Sequence, residues 1–124
     1  MDKIKKMKKQ LIDAAELGLL PVVEELAEEL AAHGDNVRAQ DDSALRSAAQ
    51  NGHLGVVKYL VSQGANAHAQ DDSALRSAAG NGHLEVVKYL VKRGADINSG
   101  DGCALRWTEL KGHLDVVKYL QSLG

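Results

Sequence analysis

Apolar residues recur along the chain at helical spacing, in two alternating kinds of segment. One side of a helix over "LGVVKYLVSQ" (Leu54–Gln63) would carry Leu54, Val57, Leu60 and Val61. In "SALRSAAQNG" (Ser43–Gly52) the apolar side is built mainly from small residues: Ala44, Leu45, Ala48 and Ala49. Ser43 has a side chain suited to cap a helix start, and Gly52 suits a left-handed helix end. The pattern therefore predicts a helix with a small-residue face, followed by a second helix with a bulkier one.

This pair of helices repeats every 30 residues. The nine residues "GHLGVVKYL" at Gly52 return with one change at Gly82 and at Gly112, and residues 36–65 and 66–95 are identical at 24 of 30 positions. A period of this length is typical of a solenoid, in which each unit buries its apolar face only against its neighbours. We predict a single all-α domain of four units, 1–35, 36–65, 66–95 and 96–124, with the first and last units as caps. The polar connector "GANAHAQDD" (Gly64–Asp72) is too short for a further helix and should form turns.

The two end units depart from the repeat. Residues 11–34 align with residues 45–64, but Leu19 replaces the repeated histidine, Pro21 falls in the first turn of the second helix, and that helix is four residues longer. At the other end, Gln121 replaces the valine of the internal units. A polar substitution of this kind suits a cap, although Trp107, Leu110 and Leu123 leave the cap incomplete.

Charge in the first unit is segregated. Residues 1–10 carry five lysines and one aspartate, whereas residues 11–35 carry seven acids and no lysine or arginine. The lysines could contact phosphates or anionic lipid. We favour the other interpretation, in which the lysines form the solvent-exposed face of an amphipathic helix whose Ile4, Met7 and Leu11 point inward. The reason is that the compensating acids are close by. The lysines in question are Lys3, Lys5, Lys6, Lys8 and Lys9.

The composition excludes several classes of function. The formal charge of -2 indicates neither a nucleic-acid nor a membrane partner. No apolar run reaches the ~20 residues of a membrane span, and the basic start is not followed by the apolar stretch of a secretory signal. A single cysteine, Cys103, fits a reducing compartment. We therefore expect a cytoplasmic, or at least intracellular, protein.

The repeated histidines and serines are candidates for chemistry. His53, His83 and His113 cannot share a metal ion, because equivalent residues of stacked helices lie about 8–10 Å apart while a zinc–nitrogen bond needs ~2.1 Å. Ser43 and Ser73 stand beside acids, but without a base in reach they act as helix caps and not as nucleophiles. We expect no enzymatic activity, no metal and no cofactor.

The units resemble the ankyrin repeat over nearly the whole chain. The resemblance rests on "ALRSAA", on "NGHLEVVKYLV" and on "GADIN" (Gly94–Asn98). Ser-Ala-Leu-Arg or Cys-Ala-Leu-Arg stands where the family commonly has Thr-Pro-Leu-His, and each unit is three residues shorter than the usual 33. Such short units are similar to the ankyrin arrays of giant viruses of amoebae and to engineered arrays. The resemblance implies abbreviated hairpin connectors, and histidines that hydrogen-bond the backbone between units.

It also implies a protein-binding module that uses a concave face, formed by the hairpin tips and the exposed side of the first helices. Carried over by position, the binding residues are Asp41, Asp42, Arg46, Ser47 and Gln50 in unit two, Asp71, Asp72, Arg76, Ser77 and Gly80 in unit three, and Gly102, Arg106, Trp107 and Leu110 in unit four. Trp107 is either a binding hot spot or a cover for the bottom of the stack.

An alternative function remains open. The near-identity of units two and three leaves little room for selective recognition, which suits a structural or engineered scaffold without a native partner. Such a scaffold could self-associate weakly through its C-terminal end, although a monomer is the primary expectation.

Overall fold

The computed structural model describes the backbone of residues 2–34, 39–67, 69–95, 97 and 99–123. Within this part of the chain there are eight helices and no strand. They are α1 (Asp2–Leu17), α2 (Leu20–Ala32), α3 (Ala39–Gln50), α4 (Leu54–Ser62), α5 (Ala69–Gly80), α6 (Leu84–Lys92), α7 (Ser99–Lys111) and α8 (Leu114–Leu123). The predicted all-α solenoid is confirmed.

The helices form two layers. In the first-helix layer, α1, α3, α5 and α7 pack side by side in chain order. In the second-helix layer, α2, α4, α6 and α8 each pack on their own first helix and on the adjacent second helices. Alanines make the close approach of the first helices possible, because they add little volume between the axes. The buried alanines of the two internal units are Ala44, Ala48, Ala49, Ala74, Ala78 and Ala79.

The second helices match their prediction closely. The helix predicted over Leu54–Gln63 is α4, Leu54–Ser62, and Gly64 after it has a φ of +99°. Val57 and Leu60 are fully buried, whereas Leu54 and Val61 are half-buried. The predicted stripe missed Val56, which is also buried. A single stripe was too narrow because α4 packs against α2 and α6 as well as against α3.

The first helices begin earlier than predicted. The helix expected from Ser43 begins at Ala39, so Ser43 lies inside α3 and the prediction that it caps the helix start is wrong. Its Oγ instead accepts a hydrogen bond of 2.9 Å from Arg46 Nη2. The same shift makes the last four residues of the predicted connector part of α5, and only residues 63–68 separate α4 from α5.

Asp72 interrupts the regular geometry near the start of α5. Its φ is +58°, in the left-handed region that few residues other than glycine adopt. Aspartate is among the residue types that tolerate this conformation. The Asp-Asp pairs therefore lie within the first helices, and not at the tips of hairpins as the resemblance implied.

The first unit has the predicted form. The helix α2 has 13 residues against nine in α4 and α6, with Pro21 in its first turn. On α1, Met7 and Leu11 are buried and Ile4 is half-buried. The lysines lie on the other side of this amphipathic helix: Lys3, Lys5, Lys6 and Lys9 are exposed, and Lys8 is half-buried.

Candidate protein-binding surface

The predicted binding residues follow one side of the first-helix layer. The exposure of these residues differs from unit to unit. Arg46, Ser47, Arg76 and Ser77 are half-buried, Gly80 is buried, and Gln50, Arg106, Trp107 and Leu110 are exposed. Among the predicted residues whose side chains the structure describes, the exposed ones therefore lie on α7, apart from Gln50 on α3.

The three equivalent arginines are not equally available. Arg46 donates a hydrogen bond to Ser43 Oγ and is half-buried. Arg76 is also half-buried. Arg106 is exposed because the side of α7 that faces away from α5 is uncovered. Of the three, Arg106 has the guanidinium most accessible to a partner.

The acidic residues of the predicted surface change the picture further. Asp72 was expected to be exposed, but only 5% of its surface is accessible. A side chain with so little accessible surface is not available to a partner. The side chains of Asp41, Asp42 and Asp71 lie outside the described part of the structure, as does that of Cys103. The backbone of Gly102 lies in α7.

Trp107 rests on Gly80. A Cβ placed on Gly80 would lie 3.2 Å from Trp107 Cε3 and 3.7 Å from Trp107 Cβ, so the indole occupies space that a side chain at position 80 would enter. The indole nevertheless remains 50% exposed. Sequence reasoning treated these two residues separately. The sequence does contain a signal for this contact, because Gly80 replaces Gln50 and Trp107 replaces Ser77 in adjacent units.

Leu110 extends the apolar surface of Trp107. It is 85% exposed and lies three residues further along α7, on the same helix face. Together with Arg106 and Glu109 it gives this end of the first-helix layer an apolar patch bordered by both charges.

The repeated histidines join consecutive units. His53 Nε2 lies 2.9 Å from the carbonyl oxygen of Glu16, and His83 Nε2 lies 2.9 Å from that of Gln50. The imidazole of His83 also covers Gly52, where an added Cβ would lie 2.5 Å from its Nδ1. The predicted structural role of these two histidines is confirmed. Of the other histidines, His33 is exposed and His68 lies outside the described residues.

The comparison with protein families agrees with this architecture. A family model described as ankyrin repeats, in three copies, matches residues 11–101 and 72–124. The chain belongs to the ankyrin-repeat family. Ankyrin repeats are in general protein–protein interaction modules, and the family is typically non-catalytic. A search of curated proteins gave no match to the chain.

The second-helix layer carries a row of cross-unit contacts between ankyrin units. Lys58 Nζ lies 5.9 Å from the centroid of the Tyr89 ring, and Lys88 Nζ lies 5.8 Å from that of Tyr119, which are cation–π distances. Unit one breaks the row, because Glu24 stands where the other units have lysine. Burial and the carboxylates of Glu28 and Glu24 raise the pKa of Tyr59.

Metal binding and membrane spanning can be examined in the described residues. Among them, no group of three or more histidine, cysteine, aspartate or glutamate side chains is placed to hold a metal ion. None of the described helices is both long enough and apolar enough to cross a membrane.

Proposed function

We propose that this ankyrin domain is a non-catalytic module that binds a protein partner through the exposed side of its first helices, with Trp107 as the central contact. The observation that carries the proposal is the position of Trp107, whose side chain is 50% exposed yet packs against Gly80. Tryptophan and arginine dominate the energetics of protein interfaces, and Arg106 precedes Trp107 on α7.

The packing of Trp107 favours binding for an entropic reason. A large side chain that moves freely loses conformational entropy when a partner immobilises it, at a cost of about 0.5–1.5 kcal/mol. The indole of Trp107 is already restricted by its contact with Gly80, so less entropy remains to be lost. A suitable partner would present an apolar side chain to Trp107 and Leu110, and a carboxylate to Arg106.

The proposed surface is narrower than the one implied by resemblance. It comprises Gln50, Arg106, Trp107 and Leu110, with Arg46, Ser47, Arg76 and Ser77 as half-buried neighbours. Asp72 and Gly80 are left out because they are buried. Asp41, Asp42, Asp71 and Gly102 stay in the proposal by their positions on α3, α5 and α7 alone.

The domain organisation and the setting are part of the same proposal. We take the chain as one domain of four units, 1–35, 36–65, 66–95 and 96–124, with a cap at each end. The single cysteine supports a reducing, intracellular compartment. The engagement of His53 and His83 with backbone carbonyls supports the absence of catalysis, because these imidazoles are committed to structure.

The test is a selection of binding proteins from a displayed library with the intact chain as bait, followed by titration against Trp107→Ala. We expect the variant to keep its helical circular dichroism and to lose at least tenfold in affinity for the selected partners. Lys92→Ala is the control, since Lys92 is an exposed residue of α6 and lies outside the proposed surface. A large drop in Tm with partner affinity unchanged would show that Trp107 is a cover for the stack, and would refute the proposed surface.

One observation favours the alternative, a scaffold without a native partner. Units two and three differ at only six positions, and one of these, Gln50 against Gly80, is explained by the packing of Trp107. If the selection yields partners that bind Trp107→Ala and the unaltered chain equally, the scaffold is the better account.

A further inference from the structure

Both ends of the stack expose apolar residues, most of them at positions that the internal units cover more fully. At one end, Leu110 and Leu114 are 85% and 68% exposed, and we call the surface around Leu110, Gly112, Leu114 and Lys118 the C-terminal end face. At the other end, Leu19 and Val22 are exposed, although Val56, the equivalent of Val22, is buried. We call the surface around Leu19, Pro21, Val22 and Glu25 the N-terminal end face.

The contacts between consecutive units show how such faces meet. In each junction, the histidine of one unit lies over the glycine that follows the first helix of the unit before it. A Cβ added to Gly18, Gly52 or Gly82 would lie 2.5–2.6 Å from the Nδ1 of His53, His83 or His113. The next glycine in this series, Gly112, has nothing within 4 Å of its Cβ position. In unit one, the residue at the histidine position is the exposed Leu19.

A second contact lies in the second-helix layer, at the junction of units one and two. Leu20 at the start of α2 lies against the second residue of α4, since its Cδ2 is 3.6 Å from the Cβ position of Gly55. The equivalent leucine of the last unit is Leu114 at the start of α8. The residue of unit one that corresponds to Gly55 is Pro21, so the same register would set Leu114 against Pro21 of another copy.

The third contact involves charge. Lys58 and Lys88 each lie over a tyrosine of the following unit, at 5.9 and 5.8 Å from the ring centroid. The equivalent lysine of the last unit is Lys118, which is exposed. The tyrosine position in unit one is Glu25, also exposed. Lys118 would therefore meet the carboxylate of Glu25 of another copy, and these two positions are complementary in charge.

We propose that the C-terminal end face of one copy binds the N-terminal end face of a second copy, head to tail, in the register of the internal junctions. Leu19 would cover Gly112, Pro21 would contact Leu114, and Glu25 would pair with Lys118. The two faces differ, so the contact is heterologous and leaves a free face at each end of every oligomer. Association therefore continues past the dimer as concentration rises.

The first-helix layer keeps this association weak. By the register of Trp107 on Gly80, the residue set against Leu110 is the exposed Asp13. Glu109 also stands at the position of the buried Ala79. Because the carboxylates of Asp13 and Glu109 would both lie in the contact, the contact loses the apolar packing that joins the internal units.

The experiment is sedimentation velocity of the 124-residue chain at low ionic strength over a wide concentration range. We expect the mean mass to rise without stopping at a dimer. K118E and E25K each put like charges into the contact and should weaken association roughly tenfold. K92E is the control, because it changes net charge by the same amount as K118E at an exposed residue of α6, away from both end faces.

Mixing the two variants gives the decisive result. In an equal mixture of K118E and E25K, every head-to-tail contact between the two different variants joins opposite charges, so the mean mass should rise well above that of either variant alone. Circular dichroism checks that all variants are folded. A strict monomer at every concentration, or variants that associate like K92E, or a mixture no heavier than its components, would each overturn the proposal. None of these outcomes depends on whether Trp107 binds a partner.

Discussion

An internal unit and an end unit place the same residue in opposite environments. Gly52 and Gly112 end their first helices with nearly the same backbone, at φ values of +75° and +77°. The imidazole of His83 covers Gly52, whereas nothing lies within 4 Å of the Cβ position of Gly112. The local sequence thus determines how the helix ends, and the neighbouring unit determines what is buried. In a solenoid these two properties can be tested separately.

The largest contrast is expected at the position that is alanine in unit three and glutamate in unit four. Ala79 is fully buried, and Glu109 is exposed at the equivalent position. Ala79→Glu would bury a carboxylate between α5 and α7, and should lower the free energy of unfolding by about 3 kcal/mol or more. Glu109→Ala should change it by less than about 0.5 kcal/mol. Urea denaturation followed by circular dichroism measures both values.

Equal effects of these two substitutions would contradict the view that burial comes from the neighbouring unit. In that case the two positions would differ in sequence alone. A decrease for Ala79→Glu with no change in the denaturant slope would also show that the stack still unfolds as one cooperative body.

The glycine pair should give a smaller contrast. Gly112→Ala places a Cβ in a left-handed conformation and should cost about 1 kcal/mol. Gly52→Ala carries the same backbone cost and also pushes the new methyl group into the ring of His83, so we expect about 2–3 kcal/mol in total. Thermal or urea unfolding of the two variants measures the difference.

The histidine provides the control for this pair. His83→Ala alone should cost about 1–2 kcal/mol, since it removes the hydrogen bond to the carbonyl of Gln50 and the ring contact. In that background the clash is gone, and Gly52→Ala should cost no more than Gly112→Ala. Additive costs in this double-mutant cycle would mean that His83 does not restrict Gly52.

The smallest effect concerns Tyr59, which faces carboxylates where Tyr89 faces a lysine. The pKa of Tyr59 is raised in the folded protein by burial and by Glu28 and Glu24, so the folded state holds this proton more tightly than the unfolded chain. Its contribution to stability is complete below the usual value of 10.0 and is lost as the pH rises through the raised pKa. Tyr59→Phe should therefore lose less stability than the unaltered chain between about pH 9 and about pH 11.

The matched measurement is the tyrosinate absorbance, titrated in the unaltered chain and in Tyr59→Phe. The difference between the two curves isolates Tyr59 from the other tyrosines. A midpoint at or below the usual value would show that the acids of α2 do not act on this residue.

The regular part of the fold could be predicted from sequence. The starts of the second helices, the burial of the small alanines and the left-handed Gly52 all followed from apolar spacing and from glycine position. These features are local, or repeat so regularly that the neighbour of each unit is known in advance.

The remainder depends on contacts that spacing does not encode. Ser43 looks like a helix cap, but α3 begins at Ala39 and the Ser43 hydroxyl is taken by Arg46. Asp72 looks like an exposed turn residue, but it lies within α5 and is buried. In the candidate site, the contact between Trp107 and Gly80 joins two units, so the spacing of residues within a single unit does not predict it.

The cross-unit contacts of histidine with glycine and of lysine with tyrosine have a consequence for how this chain could change in length. Gly52 and His83 are one period and one residue apart, and so are Lys58 and Tyr89. Duplication or deletion of a whole 30-residue unit keeps every such spacing, and places each new contact where an old one was. A gain or loss of a single residue within a unit would break the spacing at one junction. Length variants of this protein should therefore tolerate steps of 30 residues far better than small insertions.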